Sequence, residues 1–290
     1  MNGDGGIVRV INMTTPAMTM TRSISGREGL RLSLARLARA ATGGLVDTRR
    51  AAEAWSVSPA VASARLHRMV RAGWVLSVRK GLFFVVPLEA GARTTIDDPW
   101  VLASRAFSPC YIGGWSAAEH WGLTEQIFRS TFVVTAGSAR TTSVTLLGSE
   151  FRTVRVSTTR VGSVAPIWRG TVRLAVSDRE RTLADGLANP AWVGGVRHLA
   201  EMFATYRRSD HWSVARLLAA LAAHPKGVAY KRLGYLIESS PHADGDVVAA
   251  CLENKSSGVV RLDPAVSGTG KILKRWGLRM NVTLLAEDAS

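Results

Sequence analysis

The sequence has little of what a secreted, membrane-spanning or metal-dependent protein needs. Its two cysteines, Cys110 and Cys251, are too few for a disulfide framework or a zinc cluster, so we expect two free thiols. The densest apolar run, Leu217–Ala223, is far shorter than the roughly 18–20 residues of a membrane helix. The N-terminus carries Asp4 and Arg9 and lacks the apolar core of a signal peptide. We therefore expect a cytoplasmic protein.

Acidic residues are also scarce relative to basic ones. The chain has 37 lysines and arginines against 22 acidic residues, which gives a formal net charge of +15. A charge of this size favours a polyanionic partner, with nucleic acid first and an anionic membrane surface second. Residues 22–88 hold twelve of the basic residues and only three acidic ones, a net charge of +9. The pattern predicts that the polyanion site lies in this segment.

The length and composition indicate more than one folded unit. With 290 residues and 47% hydrophobic residues, the chain is long enough for two domains with substantial cores. We predict an α+β protein with a flexible tail over 1–22, a winged helix-turn-helix domain over 23–88 and a larger mixed α/β domain over 89–290. Within the last of these, helices and strands alternate until Asp178, and helices predominate beyond it.

Local start and stop signals set the order of elements in residues 23–88. Three helices are predicted, each with a capping or termination signal, followed by two short strands. The signals are a capping box at Ser25–Glu28 and a stop at Gly43-Gly44, an N-cap at Asp47 for a helix through Trp55, an N-cap at Ser58 with Pro59 for a helix to about Ala72, a stop at Gly73, and strands over 74–78 and 82–86 joined across Arg79-Lys80-Gly81. This order is typical of a winged helix-turn-helix.

The third helix is the candidate recognition helix. Apolar spacing turns Ala62, Leu66, Met69 and Val70 inward, which leaves small and basic residues facing outward. Small residues allow close approach to base edges in the major groove, and basic residues on the following hairpin neutralise phosphates. The candidate DNA-binding residues are Ser58, Ala60, Ser63, Ala64, His67, Arg68 and Arg71 on or next to this helix, Arg79 and Lys80 on the hairpin, and Arg49 and Arg50 on the second helix.

Motifs that would indicate catalysis are incomplete. Gly114-Trp115-Ser116 lacks the closing glycine of a nucleophile elbow, and Ser116 with Glu119 fits a capping box instead. The segment 267–271 departs from the Walker pattern and is better explained as a turn between strands. The six histidines are scattered and show no ligand spacing. We therefore expect no catalytic residues, no metal site and no cofactor.

One group of carboxylates supports an alternative. Asp178, Glu180 and Asp185 are the densest acidic group, and two-metal nucleases use such groups. Spacings of two and five do not place all three on one helical face, and acids at a helix start also favour the positive end of its dipole. A structural role is the preferred interpretation, with a nucleic-acid-processing enzyme as the alternative.

Six blocks of residues follow one another along roughly residues 30–285: 72–74, Tyr111–Gln126, Asp178–Asp185, Arg232–Glu238, Leu262–Pro264 and Trp276–Asn281. Their most specific parts are the Trp-Ser-Ala-x-Glu-His and Arg-Leu-Gly-Tyr-Leu sequences. In this order, the blocks resemble the AbiEi antitoxins of bacterial toxin–antitoxin and abortive-infection systems. Ala118 and Ala184 stand where larger aliphatic residues are expected, which changes packing volume only.

The resemblance implies two functions for the chain. An N-terminal domain would repress its own operon by binding double-stranded DNA repeats in the promoter. A C-terminal domain would counteract a toxin of nucleotidyltransferase fold, by direct contact or by opposing its effect. The resemblance does not carry over the residues that read the operator. A ligand-responsive regulator, with a small-molecule pocket in the second domain, is a further alternative.

Overall fold

The computed structural model describes residues 24–87, 96, 98–137, 142–162, 164, 166–224, 227–240 and 243–284, and side chains from Gly29 onward. The predicted tail over 1–22 lies outside these residues, as do most residues at the predicted boundary between the two domains. Helices and strands are both abundant, so the mixed α and β composition predicted from the sequence is confirmed. Among the described residues, no helix has the length and apolar character that crossing a bilayer requires.

The first part of the chain, residues 24–87, contains three helices and a three-stranded antiparallel sheet of order β1-β3-β2. The elements are α1 Ile24–Ala40, β1 Leu45–Asp47, α2 Thr48–Trp55, α3 Pro59–Arg71, β2 Val75–Arg79 and β3 Leu82–Val85. Sequence patterns did not predict β1, because three residues are too few to show strand periodicity. Ser25 lies within α1, and the predicted capping box of Ser25 and Glu28 lies outside the described side chains.

The predicted caps of α2 and α3 are confirmed by their hydrogen bonds. The Arg50 backbone N–H donates to Asp47 Oδ1 at 2.8 Å, and the Val61 N–H donates to Ser58 Oγ at 3.4 Å. After α3, Gly73 has a φ of +78°, a left-handed conformation that glycine adopts without strain. These signals fix where α3 begins and ends, and therefore which of its residues face outward.

One apolar cluster anchors α3 in this first part. Ala62, Leu66 and Met69 are buried, together with Trp55 of α2 and Phe83 of β3. The buried positions follow the spacing predicted from the sequence, so the opposite side of α3 is left to solvent.

The second part begins with helix α4, which is followed by a four-stranded sheet of order β4-β5-β7-β6. In this sheet β5 and β7 are parallel, and the other neighbouring strands are antiparallel. A two-stranded antiparallel hairpin, β8-β9, follows. The elements are α4 Pro99–Ala106, β4 Cys110–Ile112, α5 Gly114–His120, β5 Thr131–Thr135, β6 Thr142–Leu146, β7 Ser149–Arg155, α6 Thr158–Val161, β8 Pro166–Arg169 and β9 Val172–Ala175.

The remainder is mainly helical, as predicted. Five helices and a short 3₁₀ turn surround the largest apolar cluster, and a small three-stranded sheet of order β10-β12-β11 closes the described chain. The elements are α7 Arg179–Ala188, the 3₁₀ turn Pro190–Val193, α8 Val196–Arg208, α9 Val214–Ala222, α10 Val228–Glu238, α11 Gly245–Asn254, β10 Val260–Arg261, β11 Ile272–Leu273 and β12 Leu278–Arg279.

The two parts share an apolar core. Leu45, Leu82 and Phe84 of the first sheet belong to the same buried cluster as Val101 and Leu102 of α4. Burial of apolar surface between the two parts therefore fixes the first sheet against α4. This junction also determines what lies beside the β2–β3 turn.

Candidate nucleic-acid interface

The outward side of α3 presents small and polar residues to solvent. We call the set Ser58, Ala60, Ser63, Ala64, His67, Arg68 and Arg71 the α3 face. Ser63 is half-buried and the other six are exposed. Every candidate predicted on or next to the third helix is thus accessible. Val61, which the apolar spacing did not single out, lies beside them and is 46% exposed.

Two ring contacts support the α3 face from behind. The His67 ring packs edge-on against Phe83, with ring centroids 5.8 Å apart. The Arg65 guanidinium lies 4.9 Å from the centre of the Trp55 ring. Arg65 therefore packs on the domain's own aromatic core, whereas Arg68 and Arg71 extend freely into solvent.

The β2–β3 turn carries the next two candidates. Arg79 and Lys80 are exposed, and Gly81 follows with a φ of +77° that closes the turn. The pairing register shifts between Ser77 and Arg79, and such irregularities increase local twist. In the described part of the chain, neither cation makes an ion pair, so both charges are available to an external anion.

The two candidates on α2 are less available than the sequence suggested. Arg49 is exposed but lies 3.8 Å from Glu53, one helical turn later. Arg50 is half-buried, and its Nη1 donates to Thr42 Oγ1 at 2.6 Å. The i,i+4 spacing of Arg49 and Glu53 was visible in the sequence. The contact between Arg50 and Thr42 was not, because it depends on how the chain folds between Thr42 and α2.

A cleft of about 560 Å³ separates the β2–β3 turn from the second part of the chain. Arg50, Arg79 and Lys80 line it from one side, and Arg105 of α4 and Arg173 of β9 line it from the other. We call it the basic cleft. Arg105 and Arg173 were not predicted as site residues because they belong to different elements, and only the tertiary fold brings them to the turn.

Cys110 shows how closely the turn approaches the second part. Burial raises the pKa of the Cys110 thiol to about 12, and the nearby positive charge of Arg79 opposes part of that rise. Cys110 begins β4 and donates from Sγ to the Ala103 carbonyl at 3.5 Å. Both described cysteines are free thiols, as predicted.

The three carboxylates of the enzyme alternative are each engaged by protein groups. Asp178 caps α7 by accepting from the Arg181 N–H at 2.7 Å. Glu180 accepts from Tyr206 Oη at 2.6 Å and from Arg216 Nε at 2.9 Å. Over the described ranges, no group of three or more histidine, cysteine, aspartate or glutamate side chains is arranged to hold a metal ion.

Asp185 is the centre of a buried polar network. Its carboxylate accepts from Tyr111 Oη and Arg160 Nη2, both at 2.7 Å, and lies 3.3 Å from Arg181 Nε and 3.2 Å from His224 Nε2. Burial by itself would raise the pKa of Asp185. The hydrogen bond with His224 and the charges of the two arginines outweigh it and hold that pKa below its usual range.

Ser116 does not have the role that the sequence predicted. It lies inside α5, whose N-cap is Gly113, and the Ser116 hydroxyl accepts from the Phe132 backbone N–H at 2.9 Å. The capping-box prediction was therefore wrong, because a strand sixteen residues later takes up the hydroxyl. The strand-to-helix turn is nevertheless tight: Gly114 has a φ of +52°, and a Cβ there would lie 2.3 Å from the Trp192 carbonyl oxygen.

Taken with the fold, these features define a mixed α/β protein with an exposed basic surface on its first part. No protein-family model matches the sequence, and no curated protein matches it. The fold is similar to that of the RV2827C protein from Mycobacterium tuberculosis, solved by crystallography. The similarity has a TM-score of 0.56 at 21% sequence identity and covers 86% of this chain and 89% of that one.

Proposed function

We propose that residues 24–87 form a winged helix-turn-helix that binds double-stranded DNA. In this proposal α3 is the recognition helix and the β2–β3 turn is the wing. The observation that carries it is the exposed α3 face, which lies in the same small domain as two cations without ion-pair partners among the described residues at the turn. Strand β1 completes the three-stranded sheet expected of such a domain.

The chemistry of the α3 face suits the major groove. Ala60, Ser63 and Ala64 bring little side-chain volume, so the helix backbone can approach the base edges closely. At the start of the helix, the exposed Val61 can contact a thymine methyl group. Two turns later, Arg68 can donate two hydrogen bonds to a guanine. These contacts supply sequence selectivity, and the wing supplies affinity.

The wing would act through charge. Arg79 and Lys80 neutralise phosphates and release the counterions condensed on them, a contribution that depends on salt and hardly on sequence. Arg71, at the last turn of α3, can add a third phosphate contact. A protein that binds in this way loses affinity steeply as the salt concentration rises.

We further propose that the chain is an antitoxin that represses its own operon and counteracts a nucleotidyltransferase-like toxin through its second part. The support is the resemblance to AbiEi antitoxins and the way the resembling blocks meet. Tyr111 donates to Asp185 across 74 residues of sequence, and Arg232 donates to the carbonyl of Leu262 at 2.9 Å. Block residues distant in sequence thus hold one buried framework together.

Fluorescence anisotropy with the full chain tests the DNA-binding proposal. The probe is the promoter DNA upstream of its own gene, and the control is a duplex of the same length and composition in shuffled order. We expect tighter binding to the promoter and a steep fall in affinity between roughly 50 and 200 mM salt. Binding that is absent or insensitive to salt would contradict the proposal.

Co-expression tests the antitoxin proposal. The full chain, expressed from an independent promoter, should restore growth to cells that express the downstream gene product. The triple variant Arg68→Ala, Arg79→Ala and Lys80→Ala should lose promoter binding and still restore growth, because toxin neutralisation is assigned to the second part. If the wild-type chain fails to restore growth, the antitoxin assignment is wrong while the DNA-binding assignment stands.

A further inference from the structure

The basic cleft contains a large excess of positive charge. Five cationic side chains line it, namely Arg50, Arg79, Lys80, Arg105 and Arg173, against the single carboxylate of Asp47. Asp47 is already engaged as the cap of α2, where it accepts from a backbone N–H. The cleft therefore holds a net positive charge that its own residues leave largely uncompensated.

Four of the five cations are free to bind an anion. Arg50 is tied to Thr42, but Arg79, Lys80, Arg105 and Arg173 make no ion pair with any residue that the structure describes. Like charges around one cleft repel one another, and an anion placed between them removes that repulsion. Guanidinium groups match phosphate oxygens particularly well because they donate two parallel hydrogen bonds.

The walls of the cleft are held in place by the core that the two parts share. Leu82 follows the turn directly and is buried with Val101 and Leu102 of α4, the helix that carries Arg105. Gly43 lies so close to α4 that a Cβ there would be 2.7 Å from Val101 Cγ1. On the other wall, Arg169 of the β8–β9 hairpin packs over the Trp100 ring of α4 at 4.3 Å. The backbone positions that carry the cations are therefore fixed relative to one another by the packing of the two parts.

The cleft is continuous with the proposed DNA surface, because Arg79 and Lys80 belong to both. We propose that the basic cleft binds backbone phosphates of the same duplex that the α3 face contacts, so that Arg105 and Arg173 extend the DNA interface onto the second part of the chain. This inference rests on the proposed DNA-binding function. It makes the second part a direct contributor to operator affinity, in addition to its proposed role against the toxin.

The test compares two double variants of the full chain in the anisotropy assay. Arg105→Ala with Arg173→Ala removes two cleft cations, and Arg208→Ala with Arg261→Ala removes two exposed arginines of the second part that do not line the cleft. Removing one phosphate contact reduces the salt slope by about 0.9, so the cleft variant should have a slope smaller by about 1.8. The ratio of wild-type affinity to variant affinity should therefore be about 12-fold larger at roughly 50 mM salt than at roughly 200 mM salt.

The control variant should keep the wild-type slope. If the cleft variant keeps it too, while wild type binds the promoter, the inference is wrong and the winged-helix proposal survives. If wild type does not bind DNA at all, the proposed function itself fails. Arg173→Ala alone, at an exposed strand position, should give about half the slope change with an unchanged melting temperature, which guards against misfolding of the Arg105 variant.

A free phosphorylated molecule is the competing source of phosphate, and the cleft volume suits one. Calorimetry with ATP and with inorganic pyrophosphate as probes distinguishes a free phosphorylated ligand from the DNA backbone. Weak, non-saturating binding of both supports the assignment to DNA backbone. Stoichiometric ATP binding that is abolished in the cleft variant, combined with an unchanged DNA salt slope, would overturn it.

Discussion

Replacing Asp185 by asparagine should destabilise the second part strongly. The Asp185 side chain is fully buried, and asparagine keeps its shape while removing the charge that Arg160, Arg181 and His224 surround. Breaking a buried ion pair by neutralising one partner typically costs about 3–5 kcal/mol, because the remaining charges stay buried without compensation. With a melting-temperature shift of about 2–4 °C per kcal/mol for a chain of this size, we expect a decrease on the order of 10 °C.

Thermal unfolding followed by circular dichroism measures this decrease. Glu253→Gln is the matched control, since it makes the same chemical change at an exposed position of α11 and should shift stability by less than about 0.5 kcal/mol. If Asp185→Asn melts together with Glu253→Gln, the network does not stabilise the fold and the buried-charge explanation is refuted.

The pH dependence of the stability difference between wild type and Asp185→Asn gives an independent check. The pKa of Asp185 is lower in the folded chain than its ordinary value of 3.8, so its ionisation stabilises the fold above that pH. This contribution should decline as the pH falls through the lowered pKa. The stability difference between wild type and Asp185→Asn should therefore be constant near neutrality and shrink below about pH 3.8. A difference that grows on acidification would contradict the assigned direction.

Three further predictions concern the DNA surface and the thiols. Arg68→Ala should cost about 1–3 kcal/mol on promoter DNA and clearly less on shuffled DNA in the anisotropy assay, because it is assigned to base contacts; equal effects on both would make it a phosphate contact. Arg79→Ala with Lys80→Ala should weaken binding to both duplexes alike and reduce the salt slope by about 1.8, and a selective effect on promoter DNA would argue against the wing assignment. Burial raises the pKa of both Cys110 and Cys251 to about 12, and Cys251 is fully buried whereas Cys110 is half-buried, so Cys251 should react with a disulfide reagent more slowly than Cys110 at neutral pH until denaturant is added, and equally rapid labelling of both in the native chain would contradict that burial.

The elements of the first part were largely predictable because their signals are local. The start and stop signals of α2 and α3 depend only on residues three or four positions away, and no distant contact overrides them. These signals are Asp47, Ser58, Pro59 and Gly73. The exposed positions of α3 followed from its apolar spacing for the same reason. The strands β8 and β11 were not predicted from the sequence.

The wrong or missing predictions involve groups whose partners are distant in sequence. The Ser116 hydroxyl could satisfy either a helix cap or the Phe132 backbone, and the sheet decides for the latter. Arg181 lies one turn before Asp185 in α7, but the other partners, Tyr111, Arg160 and His224, come from separate parts of the chain that no spacing rule links. Arg105 and Arg173 look like ordinary surface arginines until the fold places them opposite the β2–β3 turn.

The apolar seam between the first sheet and α4 has a practical consequence for dissecting this molecule. Cutting the chain near residue 90 would leave Leu45, Leu82 and Phe84 bare on one fragment and Val101 and Leu102 bare on the other. Each fragment would then expose an apolar surface that promotes aggregation. Aggregation or loss of activity in either fragment would reflect the truncation, and would not show which part carries which function. Point substitutions in the intact polypeptide are the sounder way to assign tasks to its halves.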